Sequence, residues 1–246
     1  MNVHVTTNNS KTGIYSFNLL AGDGAHAYDG RLPAAFRCDD APGADYTLQL
    51  AAKWHAMAAE FGPIMCGTCG KNHDCPGCYA KDSTRYPATA INYAENTILA
   101  RIDPAGTVAA VENELYNGAT APRYFRIHDS GDFFSYDYFA AWADMARRHP
   151  ETRFYCYTKE RGIVLKYGVD NLPGNFVVNC SPWPGVSDPI ADLPQFIYDA
   201  GTDPEIAKLP HCPAVDKDGK RTGVQCINCR HCANAKRGDR WAVYAH

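Results

Sequence analysis

"RYFRIHDSGDFFSYDYFAAWADMARRHPETRFYCYTK", residues 123–159, decides the fold. Its first six residues are aromatic and β-branched and read as a strand. "DSGDFFS" is a loop. "YDYFAAWADMARRH" places Phe139, Trp142, Met145 and Ala146 on one helical face, a stripe read as core, and Pro150 stops the helix. "RFYCYTK", 153–159, is a second strand. Working outward, "GIYSFNLL" (13–20), "FVVNCS" (176–181) and "QFIYD" (195–199) are further strands. Helices are expected over 46–61 and 88–101, and a further helix over "AGTVAAVENELYNG", ended by Asn117-Gly118. A short helix follows at "GIVLKYG". Strand, loop, helix, strand with long connections calls for parallel strands joined by right-handed crossovers. Sheets of that kind carry chemistry at the carboxyl ends of the strands. Here those ends are His128-Asp129, Thr158-Lys159 and Cys180-Ser181, all followed by polar or turn residues.

The loop after the first of these strands concentrates polar groups. Ser130 and Gly131 can make a backbone turn, and Asp132 puts a carboxylate where it can accept hydrogen bonds from an amine. Ser135 is the better N-cap of the following helix. His128 reads equally as a base, a ligand or a hydrogen-bond partner. Lys159, at the end of the next strand, reads as a solvated cation or a ligand contact.

The chain has 246 residues, a net charge of −3 and 46% hydrophobic residues, enough for a substantial core and without the signature of disorder. No global basic field advertises nucleic-acid binding, which leaves room for a local patch. No apolar run approaches the ~18 residues of a membrane span. The polar start "MNVHVTTNNSKTG" lacks signal-peptide character, so the expected compartment is the cytoplasm and no membrane partner is expected. Cytosolic thiols stay reduced, so the eleven cysteines point to metal or cluster binding rather than disulfides.

Eight of them fall into two crowds. "CGTCGKNHDCPGC" spaces Cys66, Cys69, Cys75 and Cys78 as C-x2-C-x5-C-x2-C. Four thiolate ligands close a metal centre; three, Cys69, Cys75 and Cys78, leave one iron open, and the spacing leaves both readings standing. Near the other end Cys226, Cys229 and Cys232 are spaced C-x2-C-x2-C, with Cys212-Pro213 upstream. That spacing with a remote Cys-Pro is a ferredoxin pattern, and it suits an iron–sulfur cluster better than zinc, which favours paired thiols. His211 and His231 adjoin these ligands and suit a supporting or surface role. Cys156 and Cys180 lie in strands and read as core; Cys38 lies in a polar loop.

"GIYSFNLLAG", "CPGCYA", the 123–159 segment and the terminal "CINCRHC" together resemble the phage and bacterial family named after mycobacteriophage gene product eighty-eight. The layout is also similar, more distantly, to radical S-adenosylmethionine (SAM) enzymes. There a three-cysteine cluster loop follows the first strand of an incomplete (β/α) barrel, and a motif after the second strand holds the SAM amine. "SGDF", 130–133, stands at the place of that motif, and C-x5-C-x2-C stands where C-x3-C-x2-C is usual. The resemblance implies an α/β fold, an incomplete parallel barrel over residues 1–200 with a cluster loop at 66–79, and a cysteine-rich extension over 201–246. It implies two [4Fe–4S] clusters, SAM held by Asp132 with Ser181 at the ribose, and an external electron donor. The alternative is a zinc- or cluster-stapled module that binds nucleic acid or protein, or a two-cluster electron carrier. Neither substrate nor oligomeric state is written in the sequence.

Overall fold

The computed structural model describes residues 2–7, 12–20, 87–118, 121–182 and 192–244, with Ala52, Ala56, Ala59, Glu60, Ala80 and Ile190. The expected helix at 46–61 lies largely outside these residues; its four described positions are helical. The cluster loop at 66–79 and Cys38 lie outside them altogether.

Among the described residues seven strands form one sheet in chain order: β1 (Val5–Thr6), β2 (Tyr15–Phe17), β3 (Tyr124–Ile127), β4 (Arg153–Thr158), β5 (Phe176–Cys180), β6 (Gln195–Asp199) and β7 (Arg240–Tyr244). β1 is antiparallel to β2, and every later pairing is parallel. The order does not reverse, so there is no switch point of the doubly wound kind. β7 carries the sheet into the C-terminal segment, pairing with β6 from Gln195–Arg240 to Asp199–Tyr244.

The helices begin as local chemistry dictates. Pro87 opens α1 (Pro87–Ile102), and Pro104 opens α2 (Pro104–Tyr116), where a missing N–H costs nothing. Asp103 caps α2 by accepting from the Gly106 N–H at 2.8 Å. Ser135 caps α3 (Tyr136–Arg148) by accepting from the Tyr138 N–H at 3.2 Å, with Asp137 in the first turn and Arg147 and Arg148 in the last, each favourable to the helix dipole. α4 (Arg161–Tyr167) is short and ends at Gly168.

Strand alternation divides the sheet into two chemistries. Phe17, Phe125, Ile127, Phe154, Cys156, Phe176, Val178 and Cys180 turn to the helices, where Phe139, Trp142, Met145 and Ala146 meet them with no exposed surface. The helical stripe and the two strand cysteines are core, as expected. Ile14, Tyr124, Tyr155 and Val177 turn the other way and pack under the C-terminal segment, against Ile227, Ala233, Ala235 and Trp241. Gly13 marks the contact. Its φ is +64°, and a Cβ there would stand 2.7 Å from Ile227 Cγ2, while Ile227 N–H donates to Thr12 O at 2.9 Å.

Candidate functional site

The carboxyl edge is built by β2, β3, β4 and β5 together. Asn18, just past β2, accepts from the Asp129 and Ser130 N–H groups at 2.5 and 3.2 Å. The Leu19 N–H donates to Ser130 O at 2.9 Å. Gly131 takes φ +96° with its Cα so close to Leu19 that a Cβ would lie 2.7 Å from Leu19 Cβ; only glycine closes this turn. The turn delivers Asp132 to the end of β4. There its carboxylate accepts from Thr158 Oγ1 at 2.6 Å, the Lys159 N–H at 2.9 Å and the Phe133 N–H at 2.7 Å. Burial raises the Asp132 pKa, and these three donors oppose the shift. Lys159 Nζ donates to Ser181 Oγ at 2.9 Å, so Asp132, Lys159 and Ser181 stand as one group across three strand ends. Ser130 joins it with a buried hydroxyl that has no hydrogen-bond partner among the described residues.

His128 belongs to the other side. Its ring lies among the helix-side aromatics, 5.0 Å from Phe133 and 5.6 Å from Tyr138 centroid to centroid, and Nε2 meets Tyr138 Oη at 2.9 Å. Burial, with Arg126 adding to it, pushes its pKa down to about 3, so it is neutral at physiological pH. Its backbone is left-handed, φ 66°.

The second candidate lies on the sheet face opposite α2, α3 and α4. α5 (Cys226–Cys229) is one turn, ended by Arg230 in the left-handed conformation at φ 61°, and Cys232 opens a further tight turn, Cys232–Asn234. The chain thereby doubles back within seven residues and brings Cys226 and Cys232 down on Tyr155 and Tyr157. Cys212 is tied to the sheet by its N–H, which donates to Ala242 O at 2.8 Å. Burial raises the pKa of Cys212, Cys226 and Cys232, the last to about 12, and the thiols add to each other's shift: Cys229 acts on Cys212 and Cys226, and Cys212 and Cys226 both act on Cys232. The four sulfurs therefore occupy one neighbourhood. They are not drawn into a ligand geometry: among the described residues no three His, Cys, Asp or Glu side chains are set to hold a metal ion.

Sequence reading missed the residues around these thiols. Arg126 reaches across the same face. It is paired with Asp129 at 2.8 Å, donates from Nε to His128 O at 3.2 Å and lies 4.8 Å from the centre of the Tyr157 ring. Its charge opposes the rise in pKa of all three shifted thiols. Asn179 gives both Nδ2 protons to carbonyls, Cys156 O at 3.0 Å and Cys232 O at 3.2 Å. That fixes the amide orientation and leaves Oδ1 buried without a donor among the described residues; the buried Tyr155 hydroxyl is also without a partner. Period two was the available signal: Arg126, Tyr155, Tyr157 and Asn179 fall on one face of the sheet. His211 does not offer itself as a ligand. Its nitrogens meet Asp199 Oδ2 and Leu209 O, each at 2.8 Å, and its ring stacks on Tyr244. His231 is exposed beside Trp241.

No solved structure matches the chain. Gene 88 protein of Mycobacterium phage L5 is 32% identical over 136 residues, 48% of this chain and 53% of that protein. Gene 88 protein of Mycobacterium phage D29 is 51% identical over 39 residues, 16% of each chain. The chain thus spans about half the length of the first of these relatives and a smaller part of the second. The profile of the Gene product 88 family matches residues 26–235, most of the sequence, and the chain belongs to that family.

Proposed function

We propose that this is an iron–sulfur protein in which Cys212, Cys226, Cys229 and Cys232 hold a [4Fe–4S] cluster against the inner face of the sheet. The observation that carries the reading is the gathering of these four thiols on the sheet face opposite α2, α3 and α4, beside polar atoms of Tyr155, Asn179 and Trp241 that have no partner among the described residues. The donor set suits a cluster: four soft ligands, a nearby arginine to offset thiolate charge, and apolar cover from Ile227, Ala233 and Trp241. Residues 66–78 would hold a second cluster through Cys69, Cys75 and Cys78, with Cys66 as a fourth ligand or spare.

The finer reading is radical SAM chemistry on an incomplete (β/α) barrel. Six parallel strands in chain order, with a polar group at their carboxyl ends, support it. The second cluster, when bound, would supply one electron for reductive cleavage of SAM. The chain's own part would be to hold the ligand. Asp132, fixed by Thr158 and Lys159, would face its amine; Ser181, ordered by Lys159, would face its ribose; Ser130 would supply a hydroxyl without a partner among the described residues.

The test is anaerobic reconstitution with iron and sulfide, followed by electron paramagnetic resonance of the reduced protein with and without SAM. About eight irons per chain, falling to about four in Cys226→Ser, are expected. A SAM-dependent change of spectrum that survives in Cys226→Ser carries the finer reading. Iron uptake indifferent to SAM leaves only the cluster reading, and zinc at both sites with no iron ends both.

A further inference from the structure

The net charge of −3 hides a segregation. Residues 208–246 hold eight lysines and arginines against three aspartates, a net of +5, so the remainder of the chain carries −8. Part of this charge collects at one edge of the sheet. In parallel strands all amino ends share an edge, and here each of three strands begins with an arginine: Arg123 immediately before β3, Arg153 at the start of β4 and Arg240 at the start of β7. The C-terminal segment adds Arg230 and Lys236, which are exposed, as are Arg123 and Arg240.

What holds these arginines matters more than their number. Arg123 and Arg230 flank the Tyr124 ring at 5.6 and 5.8 Å. Arg230 Nε donates to Ile227 O at 2.7 Å. Arg153 Nε donates to Ala233 O at 2.9 Å, and Arg240 Nε to the Gln195 amide oxygen at 3.2 Å. Carbonyls, an amide and a ring position them, and none of the four forms an ion pair with a described residue. The nearby acids are engaged elsewhere. Asp170 and Asp192 pair with Arg237, Glu151 with His149, and Asp239 accepts from the Lys236 N–H. Among the described residues the edge therefore displays ordered guanidinium groups paired with no carboxylate.

We infer that this amino edge is a nucleic-acid interface, in which Arg123, Arg230 and Arg240, with Lys236 beside them, bind the phosphate backbone. Arginine forks match phosphate oxygens in pairs. From β3 to β7 there are four inter-strand spacings, roughly 19 Å, which spans about five or six nucleotides at the rise of one DNA strand. The exposed His231 ring, beside Trp241, offers a stacking surface at the same segment. The interface lies on the edge opposite Asp132, Lys159 and Ser181, and it does not depend on the thiols holding a metal.

The test is fluorescence polarisation of labelled single-stranded DNA, duplex DNA and RNA of mixed sequence, titrated with the full chain at salt concentrations from about 50 to 200 mM. Binding that weakens with salt is expected. The triple variant Arg123→Gln/Arg230→Gln/Arg240→Gln should bind at least tenfold more weakly, with the logarithmic salt slope reduced by about three, roughly 0.9 per lost phosphate contact. Arg240→Gln alone should reduce the slope by about one, which keeps the test decisive if the triple variant misfolds. Lys166→Gln, on α4, removes an exposed charge elsewhere and should change nothing. No binding to any of the three nucleic acids overturns the inference. So does binding whose slope is the same in the variants, or polyglutamate competing as well as DNA, which would mark an acidic-protein surface instead.

Discussion

The two faces of the sheet are made by the same strands and have opposite characters. Toward the helices, β3, β4 and β5 present Phe125, Ile127, Phe154, Cys156, Phe176 and Val178, all closed into one apolar cluster. Toward the C-terminal segment the same strands present Arg126, Tyr155, Tyr157 and Asn179, with thiols above them. A core that served only stability would extend the first pattern to both sides, because burying Arg126, Asn179 and two tyrosine hydroxyls costs free energy unless each finds a partner. The helix-covered face is the larger apolar core; the other face carries the polar side chains and the thiols on which the proposed function rests.

The largest effect should come from breaking the apolar face. Trp142 is fully buried between Phe17 and Phe125, with ring centres 5.7 and 5.8 Å away. Trp142→Ala should destabilise the fold by about 3–5 kcal/mol in urea unfolding. If the faces are functionally separate, the folded fraction of this variant should take up iron in the wild-type ratio. His128 offers a second way in, through pH. Its folded pKa, about 3, lies below the ordinary 6.5, so the unfolded chain binds more protons between those values. Stability is therefore complete above pH 6.5 and falls with acid by up to ~1.4 kcal/mol per pH unit as pH drops towards 3. Asp132, whose pKa burial raises, contributes in the opposite sense as pH rises above its ordinary range. His128→Phe should flatten the acid limb between pH 6.5 and 4; an unchanged limb would place the neutral imidazole elsewhere.

A smaller loss is expected at the carboxyl edge. Asp132→Ala would leave the Thr158 hydroxyl and the Lys159 and Phe133 N–H groups without their acceptor, at a cost of roughly 3 kcal/mol. Asp132→Asn keeps one acceptor oxygen and should lose less. A difference between the two in SAM-dependent spectra, beyond the difference in stability, would separate ligand binding from bracing.

Much of the fold could be read from residue pattern, because each signal was local. Ser135 before Tyr136, the Asn117-Gly118 stop and the Phe139–Trp142–Met145–Ala146 stripe all act within a few residues, and their helices form where expected. The strands at 123–128, 153–159, 176–181 and 195–199 form within a residue of expectation for the same reason. β7 was not legible: "RWAVY" is short, follows a polar turn and gains its order only by pairing with β6. At the site, the grouping of Asp132, Lys159 and Ser181 followed from strand ends meeting at one edge. His128 did not follow the same logic. Its left-handed backbone turns the ring to the helix side, and a φ value is not written in residue type. Asn18, which supports the whole 129–130 turn, acts over 111 residues and has no local signature.

The smallest expected effect tests the inner face most directly. The Tyr155 hydroxyl is buried and has no partner among the described residues, while burial and the neighbouring thiols Cys226 and Cys232 raise its pKa far above the ordinary value. Tyr155→Phe removes this hydroxyl and keeps the ring that packs against Ile14 and Ala233. In the metal-free protein the change should be neutral or stabilising by up to about 1 kcal/mol, since an unsatisfied polar atom is lost with no cavity made. In the reconstituted protein the sign should reverse if the hydroxyl donates to a cluster sulfur: the reduction potential would shift to more negative values and the metal-loaded protein would lose its advantage in unfolding. A Tyr155→Phe protein more stable in both states would mean that the hydroxyl has no ligand to meet, and the inner face would then be a packing defect rather than a site.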